Sequence, residues 1–462
     1  MFETMILGAG PGGTGPLIWA AANGLLGDWL DAGIAVVDRQ DAMGGTIGRY
    51  LLTGDTLGGT CLECLDGPGA EPCLVGLRSD PTVRALEAYR SARPPLPLVG
   101  RFINRLGAAL AAEIGRHAQS CFLPRTRVTS LRLTTDGGVA GELIDPQGRR
   151  RTLCASSVVL ALGGRQPCAW EAIELRPGVS LGRWRDRIVA SDRLLAAGGT
   201  ALAKPRLGLR RRPPRAVILG GSHSAFSVAW TLLEGLPDSP FERGGVSILY
   251  RSPVRVFYPS RAEALADGYQ FTEADVCPAT GRVHRLGGLR GDGRTLFQRL
   301  QGLGGLAPED RAVALPLDRI DTATLCGLLE AADLIVPAVG YRLETVPLHA
   351  ADGRRIPLAR SGPSVDAGAR LRLADGSVLP NVFGIGLGSG FRPWGAMAGE
   401  PSFAGQQNSL WLYQHGLGAL IHDEVRRWAA PRRDRSAEAA LRRASELAAL
   451  CLPSSAPLAR IA

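Results

Sequence analysis

At 462 residues the chain is long enough for about two or three domains with an ample core. It holds no apolar run of about 18 residues that would span a bilayer, and its first strand begins too close to Met1 for a signal peptide, so a soluble cytoplasmic protein is expected. The net charge of +10 is carried almost wholly by arginine, with Lys204 the only lysine; the basic clusters 149–151, 210–212 and 432–433 are far apart and lack interleaved aromatics, which argues against nucleic-acid binding and, for want of lysine, against Schiff-base chemistry.

The first element is an apolar strand, Thr4-Met5-Ile6-Leu7, feeding Gly8-Ala9-Gly10-Pro11-Gly12-Gly13, a G-x-G-x-x-G loop that opens a helix. In this fingerprint Gly8 permits the tight turn, Gly10 lets backbone approach a pyrophosphate, and Gly13 lets the helix pack on the strand. The phosphates sit at the N–H groups and positive dipole end of that helix. A second apolar strand, 34–37, closes in Asp38 and Arg39. A carboxylate at residue 38 accepts from both ribose hydroxyls and repels a 2′-phosphate, so this unit calls for FAD or NAD and not NADP. Glycine-rich composition alone would scatter glycines; strand, fingerprint, helix and acid in order point to a dinucleotide site.

Gly44-Gly45-Thr46-Ile47-Gly48 follows, then an irregular Gly/Cys/Pro-rich stretch to about residue 80. Residues 83–91 and 102–118 have helical apolar spacing, as at Phe102, Leu106, Leu110 and Ile114. Strands are expected at 127–133, 139–144 and 152–162, the last running through Val158–Leu162 into Gly163-Gly164 beneath the first dinucleotide. The Gly/Pro/Arg-rich stretch 198–215 reads as a domain boundary.

Beyond it the pattern repeats: strand 216–219, loop Gly220-Gly221-Ser222-His223-Ser224-Ala225, helix 226–236, strand 246–250. This second strand ends in Arg251-Ser252, a cation and a hydroxyl suited to a 2′-phosphate, so NADPH is expected here. Ser222 and Ala225 occupy the second and third glycine positions, which leaves a purely structural βαβ unit as the alternative. His223 either faces the nucleotide or packs the loop. A buried strand is expected over 333–341, a last one over 381–388 through Gly386 and Leu387, a helix over 405–428 and a terminal surface helix over 435–450. The fold class is α/β, with two Rossmann-like three-layer domains, one for FAD and one for NADPH, the second inserted in the first. The domains are 1–205 (first part of the FAD domain), 206–332 (NADPH domain) and 333–462 (return segment and C-terminal helices). The nine cysteines and six histidines form no metal-ligand spacing, so no metal is expected.

That order resembles the two-dinucleotide-domain flavoproteins, and within them the class B flavin monooxygenases of the N-hydroxylating, ornithine/lysine type. The resemblance rests on Gly8–Gly13, Gly220–Ala225 and Asp333–Tyr341, the last similar to a D-x-x-x-x-A-T-G-Y signature with Val339 in place of Thr. It implies FAD at Gly8, Gly10, Pro11, Gly12, Gly13, Asp38, Arg39, Gly45, Gly386 and Leu387. NADPH falls to Gly220, Ser222, His223, Ser224, Ala225, Arg251 and Ser252. It further implies molecular oxygen and a small-molecule substrate, with hydroxylation of an amine the leading reaction and a homo-oligomer compatible with it. Flavin carries such chemistry, so no catalytic side chain is assigned. Leu387 stands where many relatives carry an acid, so backbone N–H groups must replace that carboxylate. The segment 403–415 departs from the ornithine-type ending, which leaves the substrate open. Trp394, Glu400, Gln406 and Gln407 are candidates for flavin or substrate contact.

The rival is a dithiol flavoenzyme using Cys61 and Cys64, since Gly58-Gly59-Thr60-Cys61 is superficially similar to a disulfide-reductase redox site. The spacing is C-x-x-C rather than C-x-x-x-x-C, and Gly416 follows His415 where a His-Pro would be needed. A flavoprotein without turnover is a third class, against which the second nucleotide unit and Arg251-Ser252 argue.

Overall fold

A computed structural model describes residues 1–208, 212–236, 239–359 and 362–433. The helix expected over 435–450, Cys451, and Arg210-Arg211 of one basic cluster lie outside them.

Strand β1 (Phe2–Leu7) is buried at every position because it has a parallel neighbour on each side. Those neighbours are β2 (Ile34–Val37) and the strand at Arg150–Leu160, and a strand buried on both faces reads as an unbroken apolar run. Helix α1 (Pro11–Ala22) follows β1 directly, and helix α2 (Leu96–Ile114) packs beside it in the same core. Beyond β2 comes β3 (Cys121–Leu123); β4 (Arg127–Leu133), β5 (Val139–Ile144) and β6 (Arg150–Leu160) form an antiparallel meander that brings β6 back against β1.

The second unit has its own four-stranded parallel sheet. It contains β7 (Ala216–Leu219), β8 (Val246–Tyr250), β9 (Ala312–Pro316) and β10 (Leu334–Pro337), in the order β9-β8-β7-β10. Helices α3 (Thr200–Leu207), α4 (His223–Leu233) and α5 (Gly291–Gln301) cover one face, and α6 (Thr322–Ala331) with the segment around Trp184 covers the other. Both units are therefore three-layered.

Two boundaries differ from the sequence reading. The second unit runs past residue 332, because β10 pairs with β7 along its whole length. It also begins before 206, because α3 forms inside the stretch read as a linker and buries Ala203 and Leu207 in the second core. Asp333, which opens the signature strand, anchors the fold. Arg212 grips its carboxylate with both terminal nitrogens at 3.0 Å, and Arg215 N donates to it at 2.9 Å.

The chain then returns to the first sheet. Strand β11 (Leu348–His349) adds beside β4, and β12 (Val378–Gly384) pairs in parallel with β6. Helices α7 (Leu410–Gln414) and α8 (Gly416–Arg433) close over α1, where Gly15 leaves only enough room for the Tyr413 backbone. The helix expected over 405–428 is thus two, broken at His415. Among the described residues no helix is long and apolar enough to cross a membrane.

Candidate active site

At the carboxyl ends of β1 and β6 lies a cleft of about 630 Å³. Gly8, Gly10, Pro11, Gly12, Asp38, Arg39, Gly45, Gly386 and Leu387 all line it, so of the residues expected at the first nucleotide only Gly13 stands back from the wall. Gly13 has a different reason to be glycine: a Cβ there would lie 1.8 Å from the Gly8 carbonyl oxygen, so the helix could not approach the strand. Gly8 itself has φ +102°, and a Cβ would meet the Ala161 carbonyl at 2.2 Å.

Gly10 is unlike either. Its backbone is ordinary, φ −74° and ψ −171°, and the nearest protein atom to a Cβ is 3.9 Å away. Nothing in the protein requires a glycine there. A diphosphate lying against the first turn of α1 does, and no side chain caps that helix start in its place. The residues present therefore fit FAD, with Gly10 as the cradle.

Asp38 does more than line the cleft. One carboxylate oxygen accepts from Ala9 N at 2.5 Å and the other from Gln40 N at 2.7 Å, which pins the glycine loop to the end of β2. A carboxylate has about four lone-pair positions, so acceptor capacity remains toward the cleft. The Gly386 loop approaches Gly12 closely, and Leu387 supplies wall where relatives have an acid. Further lining residues had no local signal in the sequence: Thr126–Thr129, Glu344–Pro347, Tyr50, Asp55 and Tyr413. Thr126–Thr129 and Glu344–Pro347 arrive through sheet closure, Tyr413 with the docking of α7, and Tyr50 and Asp55 on the segment that follows Gly45.

The second loop reproduces the first in register. Gly220 has φ +142° and touches Ala338, Ser222 caps α4 as Gly10 caps α1, and Ala225 is buried against the strand. Arg251 and Ser252 are exposed beyond β8, in the open. His223 stands at the first turn of α4. Its Nε2 is buried without a partner, and burial pushes its pKa down, so the imidazole is neutral at neutral pH.

The candidates on the C-terminal segment divide. Glu400 is not a flavin contact: it is buried, and its carboxylate accepts from Leu286 N at 3.0 Å and Gly287 N at 3.0 Å, tying the return segment to the second unit. Arg285 donates to Ala398 O and Arg255 to Ser402 O across the same seam. Gln406 accepts from Gly390 N at 3.0 Å, Gln407 N donates to Phe391 O, and Trp394, half-exposed, donates to Ala367 O. None of the four lines the cleft.

Cys61 and Cys64 are both buried, and burial first, then neighbouring charge, pushes each thiol up to about 12. A redox dithiol needs an accessible thiolate near neutral pH. Cys64 is core, and Cys61, though it lines the cleft, is buried with its thiol held protonated, so the dithiol reading fails. Among the described residues no group of three or more His, Cys, Asp or Glu could hold a metal ion.

No protein-family model matches the chain. Over 436 residues it is 34% identical to the CMP-5′-(3-aminopropyl)phosphonate hydroxylase of Streptomyces rubellomurinus, covering 91% of this chain and 96% of that protein. Among solved structures it shares its fold with FAD-bound DfoA, the cadaverine monooxygenase of desferrioxamine biosynthesis in Erwinia amylovora. That match has a TM-score of 0.55 at 13% identity, over 92% of this chain and 94% of the other. The reduced ornithine hydroxylase PvdA of Pseudomonas aeruginosa matches with a TM-score of 0.51 at 15% identity, over 93% and 99%. With a full-length relative of this identity, a two-nucleotide architecture and a cleft fitted to FAD, the chain belongs to the class B flavin monooxygenases.

Proposed function

We propose that this enzyme N-hydroxylates the primary amine of a small aminoalkyl compound of the phosphonate type, free or carried on a nucleotide. The observation behind the substrate class is the end-to-end 34% identity with a hydroxylase of an aminopropylphosphonate nucleotide. Flavin, once reduced by NADPH, supplies the activation of molecular oxygen. The protein acts around it in three ways. The glycine loop and the α1 start hold the diphosphate, with Asp38 fixing the loop and facing the ribose. The backbone of the Gly220–Ala225 loop, with Arg251 and Ser252, takes NADPH and its 2′-phosphate. The cleft walls, among them Tyr50, Val346, Pro347 and Tyr413, shield part of the flavin site from bulk water, which favours transfer of oxygen over its release as peroxide.

The test is NADPH consumption under air by the FAD-loaded protein, with hydroxylamine product and peroxide both measured. The amines compared are 3-aminopropylphosphonate, its CMP ester, ornithine, lysine and cadaverine. Product formation with the phosphonates at low peroxide supports the reading. NADPH consumption that yields peroxide alone with all five amines defeats it.

A further inference from the structure

Where the two units meet, two guanidiniums and an imidazole cluster at the start of α4, with Asp55, Asp292 and Glu400 as the surrounding carboxylates. Arg93 belongs to the first unit, in the segment whose backbone binds residues 52–54: Leu96 N donates to Leu52 O and Gly54 N to Pro94 O. Its Nε is buried and has no partner. Arg290 belongs to the second unit, immediately before α5. It lies over the Phe257 ring at 4.3 Å and donates only to a backbone oxygen, that of Arg285. The two are brought together at Gly291, where a Cβ would lie 3.6 Å from Arg93 Cδ and 4.0 Å from Gly54 O. His223, at the start of α4, points its unpartnered Nε2 into the same protein interior, close enough to both guanidiniums and to Asp55 for all three to move its titration. Asp55 is exposed and lines the flavin cleft.

Taking a cation out of water without a paired anion is unfavourable, and a buried N–H with no acceptor adds to that cost. Two guanidiniums that repel one another, with an unpartnered imidazole beside them, are therefore an arrangement a protein keeps for an anion. Asp55, Asp292 and Glu400 act on them from a distance, but among the described residues none forms an ion pair with Arg93 or Arg290. The position narrows the ligand. The group draws one arginine from each unit and meets the flavin cleft through Gly54 and Asp55, so its ligand bridges the units.

We propose that Arg93, Arg290 and His223 bind the phosphonyl or phosphoryl group of the amine substrate, with Asp55 facing its ammonium end. This rests on the N-hydroxylation reading and adds to it a bipolar site: a tetrahedral anion held at the unit junction, an amine directed at the flavin. A guanidinium pair suits a phosphonate because each offers paired N–H donors to its oxygens, and a neutral His223 donates a further one. An amine of the same length with no anion has nothing to hold there.

The test uses the FAD-loaded full chain, wild type, Arg93→Gln and Arg290→Gln. 3-Aminopropylphosphonate is compared with butylamine, both by steady-state kinetics and by calorimetric binding without turnover. The expected result is that each variant raises KM and Kd for the phosphonate at least tenfold while the values for butylamine stay where they were. Inorganic phosphate should compete with the phosphonate in the wild type and not with NADPH. Arg93 Nε has no bonded partner to lose, and Arg93→Lys, which keeps the charge, should recover part of the affinity. Equal losses for both amines, or a rise confined to KM for NADPH, would overturn the assignment, the latter placing the nicotinamide nucleotide on these arginines. If no amine is hydroxylated, the N-hydroxylation reading fails by itself, and the calorimetric comparison still decides whether the junction binds a phosphonate.

Discussion

Gly10 and Gly13 occupy one turn of one helix, yet their substitution to alanine should have opposite consequences. At Gly13 the added methyl would lie 1.8 Å from the Gly8 carbonyl oxygen, a contact that only movement of α1 off β1 can relieve. Overpacking of a tight core site costs about 1–3 kcal/mol. In a unit of this size that lowers Tm by roughly 3–10 °C. At Gly10 the methyl meets nothing nearer than 3.9 Å, and the residue already has φ −74°, so alanine is accommodated in the flavin-free protein. The unfolded chain loses freedom by the same change, which stabilises by about 0.4–1 kcal/mol. The cost appears only when FAD binds, because the methyl takes the place of a phosphate oxygen against the helix start. A hundredfold weaker Kd, about 2.8 kcal/mol, is expected. Thermal melts of the deflavinated proteins and fluorescence titration with FAD separate the two effects. Gly10→Ala that binds FAD with the wild-type Kd, or that loses as much Tm as Gly13→Ala, would show that Gly10 is glycine for the fold and not for the cofactor.

Arg251→Ala should erase about ten- to hundredfold of the preference for NADPH over NADH, since a charge-assisted contact to phosphate contributes about 1.5–3 kcal/mol; equal flavin-reduction rates with both nucleotides in the wild type would refute the assignment. The Cys61→Ser, Cys64→Ser double variant should keep NADPH-dependent flavin reduction and oxygen uptake, and in the native wild type neither thiol should react with iodoacetamide at pH 8, because burial holds both at about 12. His223, His284 and His422 all have pKa values lowered by burial, so the unfolded chain takes up their protons first as pH falls. Their contribution is complete above the unfolded value, about 6.5, and is lost below it by up to about 1.4 kcal/mol per pH unit for each. Tm should therefore fall between pH 7 and pH 5, and a Tm that is level or rising there would contradict the burial of these rings.

The first nucleotide unit is legible in the sequence because its parts are contiguous. Strand, turn, helix start and Asp38 follow one another in the chain, and each needs a particular residue for a local reason. The second unit is legible for the same reason up to Arg251. What cannot be read is what arrives from a distance. Arg127, Val128 and Thr129 belong to a strand that the apolar pattern finds, but their place on the cleft wall depends on how β4 lies across the sheet. Tyr413 reaches the cleft because Gly15 lets α7 settle on α1. The pairing of β10 escapes the sequence for a related reason: Leu-Ile-Val-Pro is an apolar run suited to either parallel sheet, and only the partner strand decides. Glu400 follows the last strand where a flavin contact is reasonable, and its buried carboxylate goes instead to two backbone N–H groups that have no other acceptor.

The acids and the bases of this chain are treated differently inside it, and the difference bears on how the site is built. Glu400 accepts from two backbone N–H groups, Asp333 holds Arg212, and Glu309 holds both Arg299 and Arg311. Each buried acid is satisfied by the fold, in keeping with the rule that buried charge is paired. At the unit junction the rule lapses for the bases: Arg93 Nε and His223 Nε2 are buried with no acceptor. Among the described residues Trp184 Nε1, Arg206 Nε, Tyr258 OH, His284 Nδ1 and Arg294 Nε are buried orphans too; what sets Arg93 and His223 apart is that they stand together where the two units meet. A sequence that satisfies its buried acids this consistently departs from the pattern where something other than the fold sets the requirement. Here that place is the junction between the unit that carries the Gly8–Gly13 loop and the unit that carries the Gly220–Ala225 loop. The seam made by Glu400, Arg285 and Arg255 fixes the two units relative to each other, and so fixes the spacing between Arg93 of one and Arg290 of the other. Fold and substrate recognition are joined at that seam: the same bonds that close the two units set the distance at which an anion can bridge them.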